Sequence, residues 1–70
     1  MPVITYNTVE GALSNEQKEE LTQALTEAVG KVVGDTIKKS AWVIINESPE
    51  GNFAIGGHQV TAAGLKKLMS

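Results

Sequence analysis

The residue with the clearest chemical potential is Pro2, which directly follows Met1. Once Met1 is removed, Pro2 presents a secondary amine at the chain terminus. An α-amino group titrates at about pH 8, and burial against apolar surface disfavours its charged form and lowers its pKa further. Such an amine can act as a general base near neutral pH. Pro2 is therefore the candidate catalytic residue, provided that Met1 is absent, because an acylated proline nitrogen has no basic lone pair.

The rest of the composition offers few other catalytic groups. The chain has no cysteine and a single histidine, His58, which we expect at the surface. It contains no nucleophile motif, phosphate-binding loop or metal-ligand spacing. We therefore expect no metal ion and no cofactor.

Charge and hydropathy narrow the range of partners. All six basic residues are lysines, and the net charge of -2 lacks the basic excess that nucleic-acid binding requires. No apolar stretch approaches the roughly 20 residues needed to cross a bilayer. The first residues lack the basic start and apolar run of a signal peptide. We expect a cytoplasmic protein without nucleic-acid or membrane partners.

The length of 70 residues predicts one domain over residues 1–70. A chain this short buries a smaller share of its surface than a larger protein does. Neither disulfides nor a structural metal can compensate here, and oligomerisation is the remaining common device. We therefore expect a multimer.

The secondary-structure elements that must position Pro2 are predicted to be a strand, a helix and a second strand. Val3 to Val9 are rich in β-branched and aromatic types and predict the first strand. A capping box from Ser14 to Gln17 predicts a helix start, and Gly34 predicts its end. After a polar connection, residues 41–46 read as a strand covered on both faces. This order predicts a single β-α-β unit with parallel strands, an α/β (α+β) fold.

The C-terminal third carries weaker signals. Residues 48–51 have turn chemistry, and residues 52–57 are short enough for a loop or small hairpin that reaches onto a neighbouring subunit. Residues 60–70 predict a short helical tail with Leu65 and Leu68 turned inward.

Read together, several landmarks resemble the short-subunit 4-oxalocrotonate tautomerase group of the tautomerase superfamily. They are Pro2, Glu10-Gly11 after the first strand, Glu16-Gln17-Lys18 at the helix start, Val43-Ile44-Ile45 with Glu47, and residues 51–57. The resemblance implies a hexamer built as a trimer of dimers, with active sites at subunit boundaries. It also implies that the processed Pro2 is a general base for keto-enol proton transfer.

The chain departs from that group where substrate is bound. The group's well-known members carry one arginine after the Glu-Gly of the first strand and another in the second strand, and this chain has Ala12 and Trp42 there. Lysine does not reproduce the two-pronged carboxylate contact of arginine. We therefore expect a small 2-oxo or enol acid, arylpyruvate-like, and not a doubly charged dicarboxylate. The predicted substrate-binding residues are Phe53, Trp42, Val9 and Lys39, with Lys38 as the alternative cation.

Other interpretations remain open for the chain and for its residues. Relatives hydrate or dehalogenate unsaturated acids with the same proline, although they also use arginines. The non-enzyme alternative is a subunit that has kept the fold and lost the active site. Such a subunit would pair with an active partner in a mixed oligomer. Trp42 and Phe53 also suit an interface, and a structural hydrogen bond explains Glu47 as well as a proton transfer does.

Overall fold

The computed structural model describes residues 1–69, and a two-stranded parallel sheet lies at its centre. Strand β1 spans Val3–Val9 and strand β2 spans Trp42–Ser48. They pair in register from Val3 opposite Trp42 to Val9 opposite Ser48. The prediction of a β-α-β unit with parallel strands is thus confirmed, and β2 begins and ends slightly later than predicted.

Helix α1, Asn15–Val33, connects the two strands and has the predicted ends. The N–H of Gln17 donates to Ser14 Oγ at 3.1 Å, and the N–H of Ser14 donates to Gln17 Oε1 at 2.9 Å. This reciprocal capping box satisfies two N–H groups that have no partner inside the helix. At the other end Gly34 has a φ of 99°, a conformation that glycine adopts without a Cβ clash.

A second, short helix was not predicted. Residues 35–38 were interpreted as a polar connection, whereas Asp35–Lys38 forms helix α2. Lys38 lies across the last turns of α1, where its ammonium is 2.7 Å from Glu27 Oε1. Gly30 makes room for the aliphatic part of Lys38, because a Cβ at residue 30 would lie 2.6 Å from Lys38 Cδ. This close approach explains a glycine that costs α1 about 1 kcal/mol in helix propensity.

Replacing Gly30 by alanine tests that close approach. In the wild-type background we expect little or no stabilisation, since the new Cβ would displace Lys38 from Glu27. In a Lys38→Ala background the same change is expected to raise the free energy of unfolding by about 0.5–1 kcal/mol. Urea denaturation at one fixed protein concentration measures both values. An equal effect in the two backgrounds would contradict this account.

The sheet is covered by α1 on one face only. Ile4, Val43 and Ile45 are half-buried on the helix side, together with Glu47, which α1 contacts through Lys18. The opposite face, called here the outer face, carries Val3, Thr5, Asn7, Trp42, Ile44 and Asn46. Trp42 is 56% exposed there. Coverage of β2 on both faces is therefore wrong for a single chain.

Two amides lie in the middle of the outer face. Asn7 and Asn46 are opposite each other in the register of the strands. Asn46 Nδ2 donates to Asn7 Oδ1 at 3.1 Å, and both side chains are exposed. The outer face thus combines apolar residues with one hydrogen-bonded polar pair.

Residues 51–69, called here the arm, follow the β-α-β body of residues 1–50. The arm contains a hairpin of strands β3, Ala54–Ile55, and β4, His58–Gln59, followed by helix α3, Ala62–Met69. The prediction for residues 52–57 was a loop or a small hairpin, and the structure forms a hairpin that extends to residue 59. The helical tail predicted for residues 60–70 is present as α3, with Ser70 lying outside the described residues. Leu65 is half-buried, but Leu68 is 82% exposed, so its inward orientation was wrong. Within residues 1–69, no helix is long and apolar enough to cross a membrane.

Candidate active site

Pro2 lies at the start of β1 and is fixed to the neighbouring strand. Its carbonyl oxygen accepts a hydrogen bond from the backbone N–H of Trp42 at 2.9 Å. Pro2 is half-buried, whereas Met1 is 72% exposed. Because Met1 packs so little, its removal would uncover the proline nitrogen without loss of core contacts.

The outer face is apolar at the end of the sheet where Pro2 lies. Trp42, whose backbone N–H donates to Pro2, pairs with Val3 of β1, and its side chain lies on the outer face. Ile44 lies two residues further along the same face and is 39% exposed. The structure therefore brings together the backbones of two of the predicted site residues, Pro2 and Trp42.

The two candidate lysines differ in availability. Lys38 donates to the carboxylate of Glu27, and this hydrogen bond raises the pKa of the Lys38 ammonium. Lys39 is exposed, lies three residues before Trp42, and has no carboxylate partner among residues 1–69. Of the two, Lys39 is the cation that is available near the start of β2.

The other two predicted residues lie elsewhere. Val9 is at the far end of β1, about 20 Å from Val3 at the usual rise of a strand. It has no exposed surface. Phe53 is half-buried in the arm, where its carbonyl oxygen accepts the N–H of Val60 at 2.9 Å. The substrate contact predicted for Val9 stays a prediction, and it requires a change that exposes this side chain.

Glu47 is held in an ion pair away from Pro2. Lys18 Nζ lies 2.5 Å from Glu47 Oε1, and this hydrogen bond lowers the pKa of the Glu47 carboxyl. Glu47 pairs with Thr8 near the far end of the sheet. This ion pair thus joins α1 to β2. The sequence marked Glu47 but not Lys18, because a separation of 29 residues carries no local signal.

Histidine and the carboxylates are also potential metal ligands within residues 1–69. His58 is exposed on β4, in agreement with the surface position expected for it. Within the described part of the chain, no group of three or more histidine, aspartate or glutamate side chains could hold a metal ion.

The parallel β-α-β unit and the position of Pro2 define the class to which the chain belongs. A family model described as Tautomerase enzyme matches residues 2–63. The chain is a member of the tautomerase superfamily, in the group with short subunits. The predicted resemblance is confirmed.

Individual relatives agree with this placement. The chain is 39% identical over 64 residues to a 2-hydroxymuconate tautomerase of Stutzerimonas stutzeri, over 91% of this chain and 98% of the relative. A 2-hydroxymuconate tautomerase of Pseudomonas fluorescens is 39% identical over 57 residues, which cover 81% of this chain and 87% of that relative. A solved 4-oxalocrotonate tautomerase isozyme from Methylibium petroleiphilum is 32% identical, with a TM-score of 0.71, and the match covers 99% of this chain and 100% of that one. These similarities support a tautomerase-type activity.

Proposed function

We propose that this chain is a tautomerase whose Pro2 nitrogen, freed by removal of Met1, is the general base for keto-enol proton transfer on a small 2-oxo or enol acid. The observation that supports this most directly is the geometry at the start of β1. Pro2 is half-buried and fixed to Trp42 by a hydrogen bond of 2.9 Å, and the residue that blocks its nitrogen is exposed.

The proposed reaction moves one proton within the substrate. The neutral amine of Pro2 removes the proton from the enol hydroxyl, and the electron pair forms the carbonyl group. The resulting ammonium returns a proton to the substrate carbon, which regenerates the amine. No net charge is left on the protein, and the reaction balances without an added reactant.

The charges near Pro2 favour a substrate with one carboxylate. Lys39 is the available cation, while Lys38 is neutralised by Glu27. The exposed indole of Trp42 offers an aromatic surface at the same end of the sheet as Pro2. An arylpyruvate-like enol acid combines these two features, whereas a dicarboxylate would bring a second charge with no arginine to receive it.

Assembly belongs to the same proposal. Phe53 is carried by the arm, and we propose that it reaches the pocket of another subunit within a hexamer built as a trimer of dimers. Each chain contributes one tautomerase-like domain over residues 1–70, and we propose a cytoplasmic location. The exposed outer face supports association, since a monomer would leave Trp42 and Ile44 uncovered.

The test combines intact mass with ultraviolet monitoring of ketonisation. Native protein that lacks Met1 is expected to convert phenylenolpyruvate faster than 2-hydroxymuconate. Pro2→Ala keeps a terminal amine but loses the ring, and we expect its kcat/KM to fall by about 10- to 100-fold.

A matched variant separates the base from the fold. Lys31→Ala alters an exposed residue on α1 and is expected to retain full turnover. Processed native protein that turns over neither acid would contradict the proposal and favour the inactive subunit of a mixed oligomer. Preferred turnover of the dicarboxylate would contradict the single-carboxylate pocket.

A further inference from the structure

Helix α2 is a single turn that depends on α1 for its place. Four residues are too few to form a stable helix alone, because nucleation of the first turn is unfavourable. One residue of α2, Lys38, makes two contacts with α1. Its ammonium is 2.7 Å from Glu27 Oε1, and its aliphatic part crosses α1 at Gly30, where a Cβ would obstruct it. Lys38 is therefore the side chain that fastens α2 to the longer helix.

Backbone hydrogen bonds lead from α2 to Pro2. The carbonyl oxygen of Lys38 accepts the N–H of Ala41 at 3.2 Å. The next residue, Trp42, donates its N–H to the carbonyl oxygen of Pro2 at 2.9 Å. The segment between α2 and the first pair of the sheet is thus held at both ends. A displacement of α2 from α1 is consequently transmitted to this segment.

Lys39 lies at the start of this segment, and its side chain is not fixed by a charged partner. It is exposed, and among residues 1–69 its ammonium has no carboxylate partner. Its backbone N–H donates to the carbonyl oxygen of Asp35 at 3.2 Å, within α2. The position of this cation therefore follows from the placement of α2.

We propose that Lys38 is a positioning residue, which holds α2 against α1 through Glu27 so that Lys39 is directed to the carboxylate of the bound acid. The inference rests on the single-carboxylate substrate of the proposed function. It assigns different roles to two adjacent lysines, of which one binds α1 and the other binds the substrate. The ammonium of Lys38 does not contact the substrate, because Glu27 already neutralises it.

Binding of 3-phenylpropanoate tests this role, because this aryl acid has no 2-oxo group and is not turned over. Trp42 is the one tryptophan of the sequence, so protein fluorescence reports binding at this end of the sheet. Lys38→Met keeps an aliphatic side chain over Gly30 but removes the charge. We expect it to raise the dissociation constant about three- to fivefold, a size that exposed ion pairs allow. The neutral 3-phenylpropanamide is expected to bind native and variant protein equally.

A double-mutant cycle shows whether Lys38 acts through Lys39. Lys39→Ala is expected to weaken binding of the acid to a similar extent. Adding Lys38→Met to Lys39→Ala is expected to have no further effect, because the residue that Lys38 positions is then absent. A merely structural role predicts the same loss in both backgrounds.

Variants of Glu27 distinguish positioning from direct contact. Glu27→Gln is expected to weaken binding of the acid, since it releases α2. If Lys38 bound the carboxylate itself, the same change would free its ammonium and tighten binding. Glu19→Gln removes the same charge from another exposed position of α1 and is the matched control. The exchanged pair Glu27→Lys, Lys38→Glu is expected to restore native affinity.

The outcomes separate this inference from the proposed reaction. An unchanged dissociation constant in folded Lys38→Met, an equal loss with and without Lys39, or tighter binding by Glu27→Gln would overturn it, even with Pro2 active. Native protein that does not bind the probe would overturn it as well. If the variants behave as expected and native protein turns over no enol acid, the role of Lys38 is supported and the proposed reaction is contradicted. Circular dichroism and sedimentation at one concentration verify the fold and assembly of each variant.

Discussion

Insertion of one alanine between Met1 and Pro2 is expected to lower kcat/KM for enol-acid ketonisation by at least about 100-fold. After Met1 is removed, the inserted alanine acylates the Pro2 nitrogen and carries the terminal amine one residue away. General base catalysis contributes about 10²- to 10⁴-fold, and a displacement of about 1 Å can itself cost about 100-fold. The remainder of the site is untouched, because the residue before Pro2 lies exposed at the surface.

The measurement is an ultraviolet progress curve at the absorbance maximum of the chosen enol acid, with protein whose processed mass has been verified. Native protein and the insertion variant are compared at equal oligomer concentration, which excludes assembly as the cause of a difference. A kcat/KM within about threefold of the native value would contradict a role for the Pro2 amine.

Ile44→Asp is expected to have the second large effect, on assembly. Ile44 lies on the outer face between the positions of Trp42 and Asn46 and remains 39% exposed in the single chain. If subunits associate through this face, the variant buries a carboxylate with no cationic partner, which costs several kcal/mol. The association constant is then expected to fall by at least about 100-fold.

Analytical ultracentrifugation at micromolar concentration reports this change directly. Thr36→Asp adds the same charge at an exposed position in α2 and is expected to leave sedimentation unchanged. Native and Ile44→Asp proteins that sediment alike, whether both are associated or both are monomeric, would contradict an interface on the outer face.

The fold was largely predictable because its signals are local. A β-branched run predicts β1, and the capping box at Ser14 and the glycine at residue 34 act on the nearest backbone groups. Helix α2 escaped prediction because one turn has too few residues for a periodic pattern. The exposure of Leu68 also escaped, since amphipathic spacing identifies an apolar face but does not say whether its own chain covers it.

The candidate site was predictable only in part. The backbones of Pro2 and Trp42 meet because the two parallel strands pair from Val3 opposite Trp42 onward. This register depends on which faces of the strands are apolar. Spacing alone could not distinguish Lys38 from Lys39, because the carboxylate that pairs with Lys38 belongs to Glu27, 11 residues earlier in α1. Phe53 and Val9 lie on other parts of the chain, and only contacts between subunits can decide whether they share a pocket with Pro2.

The amide pair formed by Asn7 and Asn46 bears on how such a chain selects its partners. Their mutual hydrogen bond uses one donor and one acceptor, so each amide keeps further polar groups to satisfy. Any surface that covers the outer face must present hydrogen-bonding groups at that point, or leave these amides desolvated at a cost of about 1–3 kcal/mol. A covering surface with only apolar residues at this point would leave the amides desolvated and would therefore bind less tightly than one that offers hydrogen-bonding groups.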